Sequence, residues 1–255
     1  MDNLYDYPKY YEIAMSFRDI PDEVDVFEAC FKQFSRIPVK SVLEVACGNA
    51  PHLEELAKRG YRYTGLDLNE AMLAYSGEKA RRLGIEARFV RGDMAGFRID
   101  PPADFAYVML GSLQVPDTAS LVSHFDSVAA SLKPGGLYLM DWCISTGSGE
   151  PGGETWEVEQ DGIKIKVSYS SKGVDPVEQT SCGSDILEID DHGKRLTIAD
   201  EATKRVIYPQ EFRLFIGARR DFEFVGWWND WDLDQPLNGS QKIARPIAVV
   251  RRKDG

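Results

Sequence analysis

Residues 41–52 read SVLEVACGNAPH, and the reading of this stretch decides the fold. Val42-Leu43-Glu44-Val45 is a short strand-forming run that ends next to an acid. Ala46-Cys47-Gly48-Asn49-Ala50 is a turn of small residues, and Pro51 stands at a favoured first position of a helix. A strand that turns through small residues into a helix brings backbone N–H groups up to a ligand, as in nucleotide-binding α/β sheets.

The same alternation continues outward. DEVDVFEACFKQFS (22–35) places Val24, Phe27, Phe31 and Phe34 at helical spacing ahead of the first strand. After Pro51, Leu53, Leu56 and Ala57 form an apolar stripe that Gly60 ends. YRYTGLDL (61–68) is a second strand ending at Asp67, and Asn69 caps a third helix running through Met72, Leu73 and Ala80 to Gly84. EARFVRGD (86–93) is a third strand ending at Asp93, and FAYVML (105–110) is a fourth. Asp117 caps a helix carrying Leu121, Phe125, Val128 and Leu132; Lys133-Pro134-Gly135-Gly136 stops it, and LYLMDW (137–142) is a fifth strand. Crossovers of this length imply parallel strands with helices on both faces. Ligands then bind at the carboxyl ends of the strands, which is where Glu44, Asp67, Asp93 and the 110–114 segment fall.

The pattern changes at TGSGEPGGE (146–154), a Gly-rich linker. TWEVEQ, IKIKVSY, SDILEID and KRLTIADEATKRVIY read as half-buried strands, with Asp191-His192-Gly193 as a hairpin turn. Tyr208-Pro209 opens a short helix, and FEFVGWW (222–228) and RPIAVVRRK (245–253) are two closing strands. Three segments are expected: 1–149 as a helical lead and cofactor-binding core, 150–207 as an inserted antiparallel sheet, and 208–255 as completion of the core sheet.

The chain has 255 residues, 43% hydrophobic and 28% charged, with a net charge of −11. A packed core is within reach. The acidic balance argues against nucleic acid and anionic membrane as partners, because phosphate contacts need clustered Lys and Arg. No run of apolar residues is long enough to span a bilayer, and the acidic, aromatic start MDNLYDYPKYYEIAM lacks the pattern of a signal peptide. Cys30, Cys47, Cys143 and Cys182 are scattered, which fits a reducing cytoplasm. His52, His124 and His192 share no metal-ligand spacing, so no metal is expected. The oligomeric state is left open.

The turn is a poor dinucleotide fingerprint, since G-x-G-x-x-G is met only at Gly48, with Ala46 and Pro51 at the flanking positions. The acids favour another ligand. Asp67 is placed to accept from two ribose hydroxyls, Asp93 from an adenine amino group, and Glu44 faces a positively charged part. A ligand with ribose, adenine, ammonium and sulfonium meets these acids without repulsion; a triphosphate does not.

At these residues the chain resembles the class I S-adenosylmethionine-dependent methyltransferases, closely over residues 38–145. VLEVACGNA is similar to that family's first motif, GLDLNEAML to the second, RFVRGDM to the third and LKPGG to the segment before strand five. Ala46 and Ala50 depart from it, standing where glycine is usual. The resemblance implies an α/β, Rossmann-like, doubly wound and mostly parallel seven-stranded sheet, with the small antiparallel sheet inserted. It implies S-adenosylmethionine as cofactor, with Glu44, Ala46 and Gly48 at its methionine end. Asp67 and Leu68 would hold the ribose, with Met72 against the adenosine. Gly92, Asp93 and Met94 would hold the adenine, and Leu110, Gly111 and Ser112 would floor the reactive methyl. The insert and the aromatic N-terminus are similar to a branch that methylates small molecules, in which an N-terminal segment covers the cofactor. Tyr10, Tyr11 and Phe17 are the candidates for that cover.

The implied function is methyl transfer to a small-molecule acceptor, an amine first and an oxygen nucleophile otherwise. The alternatives are a non-catalytic S-adenosylmethionine-binding protein and a nucleotide-cofactor oxidoreductase. Because the sulfonium is already activated, no catalytic side chain is obligatory. Asp141, His52, Tyr11 and Arg245 are the candidates for positioning the acceptor or moving its proton. Against these stand plainer readings: His52 as an ordinary helix residue, His124 as a packed one, and Trp227, Trp228 and Trp231 as packing for strand six. Asp100-Pro101-Pro102 is a loop, since residue 103 is Ala and offers no aromatic to stack on a flipped base.

Overall fold

In a computed structural model, residues 3–147, 149–239 and 242–254 are described. Seven strands form one sheet in the order β10-β11-β5-β4-β1-β2-β3. They are β1 (Ser41–Val45), β2 (Arg62–Asp67), β3 (Ala87–Arg91), β4 (Ala103–Val108), β5 (Leu132–Asp141), β10 (Phe222–Trp228) and β11 (Ile247–Arg252). The first five pair in parallel, and β11 and β10 close the edge antiparallel. The order reverses between β1 and β4, so the carboxyl end of β1 opens at the switch point where such sheets bind ligands.

Both faces are covered, and the strands alternate accordingly. Val42 faces a core with Val24 and Phe27 of α2 (Ile20–Phe34) and Leu53 and Leu56 of α3 (Leu53–Lys58). Its neighbour Leu43 faces the other core, with Phe125 and Val128 of α5 (Thr118–Ser131) and Phe212 and Ile216 of α6 (Pro209–Ala218). Asn69 caps α4 (Glu70–Leu83) by accepting from the Met72 amide at 2.9 Å, and Gly84 ends it in the left-handed region at φ +67°. No helix among the described residues is long and apolar enough to cross a membrane.

Some boundaries move. The helix expected from Pro51 starts at Leu53, with Pro51 and His52 in a turn, because the chain is still leaving the glycine loop. β3 stops at Arg91 and β4 at Val108, two residues short of the expected ends, so Asp93 and Leu110 lie on loops. Lys133-Pro134-Gly135-Gly136, expected to stop the helix ahead of the fifth strand, already belongs to β5, which begins at Leu132.

The second sheet runs β6 (Gly152–Gln160), β7 (Ile163–Ser171), β8 (Thr180–Asp191), β9 (Lys194–Arg205), all antiparallel, with the expected turn at His192-Gly193. Its apolar face, with Ile163, Ile165, Val167, Leu187 and Ile198, packs on Leu4, Ile13 and Ala14. These belong to a single 3-10 turn (Leu4–Asp6) and to α1 (Pro8–Ala14). The N-terminal segment is thus held between the second sheet and α4, where Tyr75 donates to Glu12 and the Asn69 amide group donates to Asp6 at 2.8 Å.

His124 shows how polar groups are carried inside this core. It is fully buried on α5, with Nδ1 2.8 Å from the Met94 carbonyl and Nε2 2.8 Å from the Tyr138 hydroxyl. A neutral ring satisfies both, donating to the carbonyl and accepting from the hydroxyl. Burial pushes its pKa down to about 4, against the opposing pull of the Met94 carbonyl. The unfolded chain takes up this proton near pH 6.5 and the folded one does not, so the stability His124 contributes is full above pH 6.5 and lost as pH falls toward 4. Urea midpoints measured from pH 7 to pH 4.5 are expected to record a loss on the order of 2–3 kcal/mol from this group. In His124→Gln that part of the slope should vanish; an unchanged slope would contradict the assignment.

Candidate functional site

The glycine turn is tied down from both sides. Asp67 accepts from the Gly48 amide on Oδ2 and from the Asn69 amide on Oδ1, each at 2.8 Å. The Ser76 hydroxyl donates to the Gly48 carbonyl at 2.8 Å. Burial raises the Asp67 carboxyl's pKa, and these amide bonds oppose the rise. Ala46, Gly48 and Ala50 all sit in the left-handed region, at φ +56°, +51° and +47°. The two alanines therefore adopt the conformation expected of the glycines they replace, at about 1–2 kcal/mol each. A Cβ on Gly48 would stand 3.9 Å from the Tyr11 ring and fill the space between turn and ring.

That space is part of a cavity of about 190 Å³ at the carboxyl end of β1. Ala46, Gly48 and Asn49 form one wall, and Leu110 and Ser112 form its floor beside Met109. Tyr11, Met15 and Arg18 close it from the N-terminal segment. The floor is shaped by backbone strain: Leu110 and Gly111 are at φ +52° and +66°, and a Cβ on Gly111 would lie 3.1 Å from the Trp142 carbonyl. Burial pushes the Tyr11 phenol up to about 12, with Arg18 opposing, so it stays a neutral hydroxyl.

Behind the cavity runs a buried chain of charges. Glu44, 2% exposed, accepts from Tyr107 at 3.0 Å and from Tyr63, and its other oxygen is 3.2 Å from His52 Nδ1. His52 Nε2 is 2.8 Å from Glu23. Both ring nitrogens lie within hydrogen-bond reach of carboxylates, and Nε2 is also 3.1 Å from an Arg18 guanidinium nitrogen. Glu23 also accepts from Arg18 Nε at 3.0 Å and from Arg245 at 2.7 Å. Burial alone would raise the Glu23 carboxyl; the bonds from His52 and Arg18 hold it well below the usual range. Arg245 in turn grips Asp141 at 2.6 and 3.0 Å, and Asp141 further accepts from the Leu110 amide at 2.8 Å and Trp231 Nε1 at 3.0 Å. Three acids, Glu44, Glu23 and Asp141, thus share Arg18, Arg245 and His52 as partners.

A family model described as a methyltransferase domain matches residues 42–136, the span from β1 into β5. Over this span the chain is similar to methyltransferase domains. Among curated relatives, the chain is 34% identical over 109 residues to a dTDP-3-amino-3,4,6-trideoxy-alpha-D-glucopyranose N,N-dimethyltransferase of Streptomyces venezuelae, covering 42% of this chain and 44% of that protein. The chain spans about half the length of the curated relatives it matches. The fold is shared end to end with an S-adenosylmethionine-dependent methyltransferase from Clostridium acetobutylicum, at a TM-score of 0.77 and 17% identity over 96% of both chains. An amino pentose methyltransferase from Micromonospora echinaspora, solved with its S-adenosylmethionine, matches at a TM-score of 0.70 and 20% identity, over 99% of this chain and 100% of that one.

Over the matched span the donor set suits S-adenosylmethionine. Glu44 and Asp67 close β1 and β2 and Asp93 follows β3, while the wall cations Arg18 and Lys79 are already paired with Glu23 and Glu12. With both wall cations paired, a polyphosphate would meet no free cation among the described lining residues. Of the expected cofactor residues, Tyr11, Glu44, Ala46, Gly48, Leu110 and Ser112 line the cavity. Asp67 joins them through Gly48, and Gly111 lies between Leu110 and Ser112. Gly92 hangs on Asp67 by its amide at 2.9 Å, beside Asp93 and Met94, and Leu68 is 63% exposed next to them. Met72 is fully buried in α4.

Phe17, Asp141, His52 and Arg245 lie outside the cavity lining. Phe17 does not cover the cavity; it is 61% exposed and lies edge-on to Trp156 of the second sheet. Asp141 and His52 are fully buried with their polar atoms engaged, and Arg245 is committed to Asp141 and Glu23. All three are engaged in the buried chain of charges behind the floor and the turn. His52 is not an ordinary helix residue. The expectation missed Arg18, Met15, Asn49 and Lys79 on the cavity wall. Only the acid pattern of α2 hinted at Glu23, whose spacing also fits a solvated helix end.

Proposed function

We propose that the protein transfers a methyl group from S-adenosylmethionine to a small-molecule acceptor, an amine in the first place and an oxygen nucleophile otherwise. The reading is carried by one observation: the strained turn Ala46–Ala50, held by Asp67, opens onto the same cavity as Tyr11 and the Leu110–Ser112 floor. The amine preference is supported by relatives named as sugar N,N-dimethyltransferases and by a structure named as a sugar N-methyltransferase.

Residues 1–149 and 208–255 supply the cofactor half in this reading, and 150–207 the acceptor side. Ala46 and Gly48 take the methionine end, with Glu44 behind them. Asp67 and Leu68 take the ribose, Met72 backs the adenosine, and Gly92, Asp93 and Met94 take the adenine. When bound, S-adenosylmethionine supplies an electrophilic methyl on a sulfonium. Tyr11 and Met15 exclude water above it, and Leu110, Gly111 and Ser112 fix the line of approach from below. No side chain need act as a strong base for an amine that arrives unprotonated. The net charge of −11 and the scattered cysteines support a small-molecule partner and a cytoplasmic location in this reading.

The test is a methyl-transfer screen from S-adenosylmethionine over small amines, phenols and carboxylates. Turnover of one class supports the reading. Tight cofactor binding with no transfer to any class would make the protein a binder instead.

A further inference from the structure

The second sheet meets the floor of the cavity at Lys204. Side chains alternate along β9, so Ile198, Asp200, Ala202 and Lys204 share its inner face. Ile198 is fully buried in the apolar core of that sheet. Lys204, at the other end, is half-buried and puts its ammonium 3.5 Å from the Gly111 carbonyl. A Cβ on Gly111 would also stand 3.5 Å from that nitrogen, so the ammonium lies on the side of Gly111 where a side chain would point.

This cation is underused. No ion pair ties Lys204 to a described carboxylate, whereas the wall cations Arg18 and Lys79 are both paired. An ammonium carries three donors, and a 3.5 Å approach to one neutral carbonyl engages a single donor weakly. Asp185 of β8 acts on Lys204 only through space: burial pushes the Asp185 carboxyl up to about 6, with Asp200 adding and Lys204 opposing.

A second, independent feature adjoins the same glycine. Trp142 directly follows β5, and its carbonyl would lie 3.1 Å from a Gly111 Cβ. The Trp142 amide donates to the Pro246 carbonyl, and the Gly111 amide to the Asp141 carbonyl, each at 2.9 Å. Trp142 is held in the left-handed region at φ +56°, which a bulky residue adopts only at a cost. Its side chain is 48% exposed and stacks on no described ring. The Cys143 thiol, next along the chain, senses the ammonium too: burial pushes it up to about 12 and Lys204 opposes. A charge with open donors and an uncovered indole thus flank one stretch of floor.

We propose that Lys204 and Trp142 form the acceptor subsite and select an acceptor that carries an anionic group on a flat ring. The proposal rests on the methyltransferase reading for its purpose but not for its test. Both are positioning residues. Lys204 takes the anion as a point charge, and the indole offers a face for stacking. The same cation serves the amine: a like charge close by disfavours an ammonium, so an acceptor amine beside Lys204 stays unprotonated and keeps its lone pair for the methyl.

Benzoate, with benzyl alcohol as its neutral match, is titrated into the wild-type protein at low salt. Binding is followed by NMR at the Gly111 and Lys204 amides and the Trp142 indole N–H. Benzoate is expected to shift all three at millimolar concentration, and benzyl alcohol to bind about tenfold more weakly, as the loss of one charged hydrogen bond implies. Lys204→Met should bring benzoate down to the level of benzyl alcohol, and Lys204→Arg should restore the difference, which a merely structural lysine would not. Trp142→Ala should weaken both probes alike. Equal responses to the two probes in wild type, or undiminished benzoate affinity in Lys204→Met, would overturn the subsite. Shifts of the same size at the exposed Lys58 amide would also overturn it, by marking benzoate as bound to surface charge at large. Calorimetry with S-adenosylhomocysteine is the separate control: failure of wild type to bind it overturns the methyltransferase reading and leaves the benzoate result standing.

Discussion

Asp141→Ala is expected to destabilise the protein by about 3–5 kcal/mol, the usual cost of stripping one partner from a buried ion pair. Asp141 is fully buried and accepts from the Leu110 amide, from Trp231 and from Arg245. Its removal leaves Arg245 bonded to Glu23 alone and the Leu110 amide without an acceptor. In a domain of this size each kcal/mol moves the melting temperature by about 2–4 °C, so a fall near 10 °C is predicted. Calorimetric melts check it. Asp141→Leu combined with Arg245→Met removes both charges and should recover most of the loss, because an apolar pair leaves no uncompensated ion. A single variant that melts within a degree or two of wild type would mean that the buried chain of charges does not hold the floor.

Asp67→Ala is expected to weaken S-adenosylmethionine binding about 100-fold, roughly 2.7 kcal/mol. Two losses combine. The Gly48 and Asn69 amides lose a charged acceptor, so the turn relaxes, and the carboxylate proposed to take the ribose hydroxyls is gone. Hydrogen bonds to charged groups contribute about 1.5–3 kcal/mol each, so the sum is reachable without invoking unfolding. Asp67→Asn should fall between, since its amide oxygen can accept from one N–H while its NH₂ group opposes the other. Isothermal titration separates the three proteins. An unchanged affinity in Asp67→Ala would remove the turn from the cofactor site.

The parts of this fold that depend on local pattern are legible in the sequence. Val42 and Leu43 alternate because both faces of β1 are covered, Asn69 and Asp117 cap the helices they precede, and IKIKVSY alternates because β7 buries one face. The strand-end acids follow from the same alternation. What pattern does not carry is the partner of a polar group. Glu23 reads as a first-turn helix acid, yet it meets Arg245, which lies 222 positions away. His52 and Asp141 read as candidates for the acceptor because strand ends hold active sites, and only their burial shows that their valences are spent. Lys204 reads as one charge of an alternating strand, and only the fold brings its ammonium to the Gly111 carbonyl, 93 positions away. The alanines of the turn are legible as departures, but their positive φ comes from the closure of the turn onto Asp67.

The central claim is that the cavity beside Gly48 is the methionine end of an adenosyl cofactor site. Titration calorimetry of S-adenosylmethionine, followed by displacement with S-adenosylhomocysteine and a parallel titration with NAD, tests it most directly. One saturable site that S-adenosylhomocysteine empties and NAD does not occupy is the predicted result. Absence of saturable binding, or preference for NAD, would contradict the account.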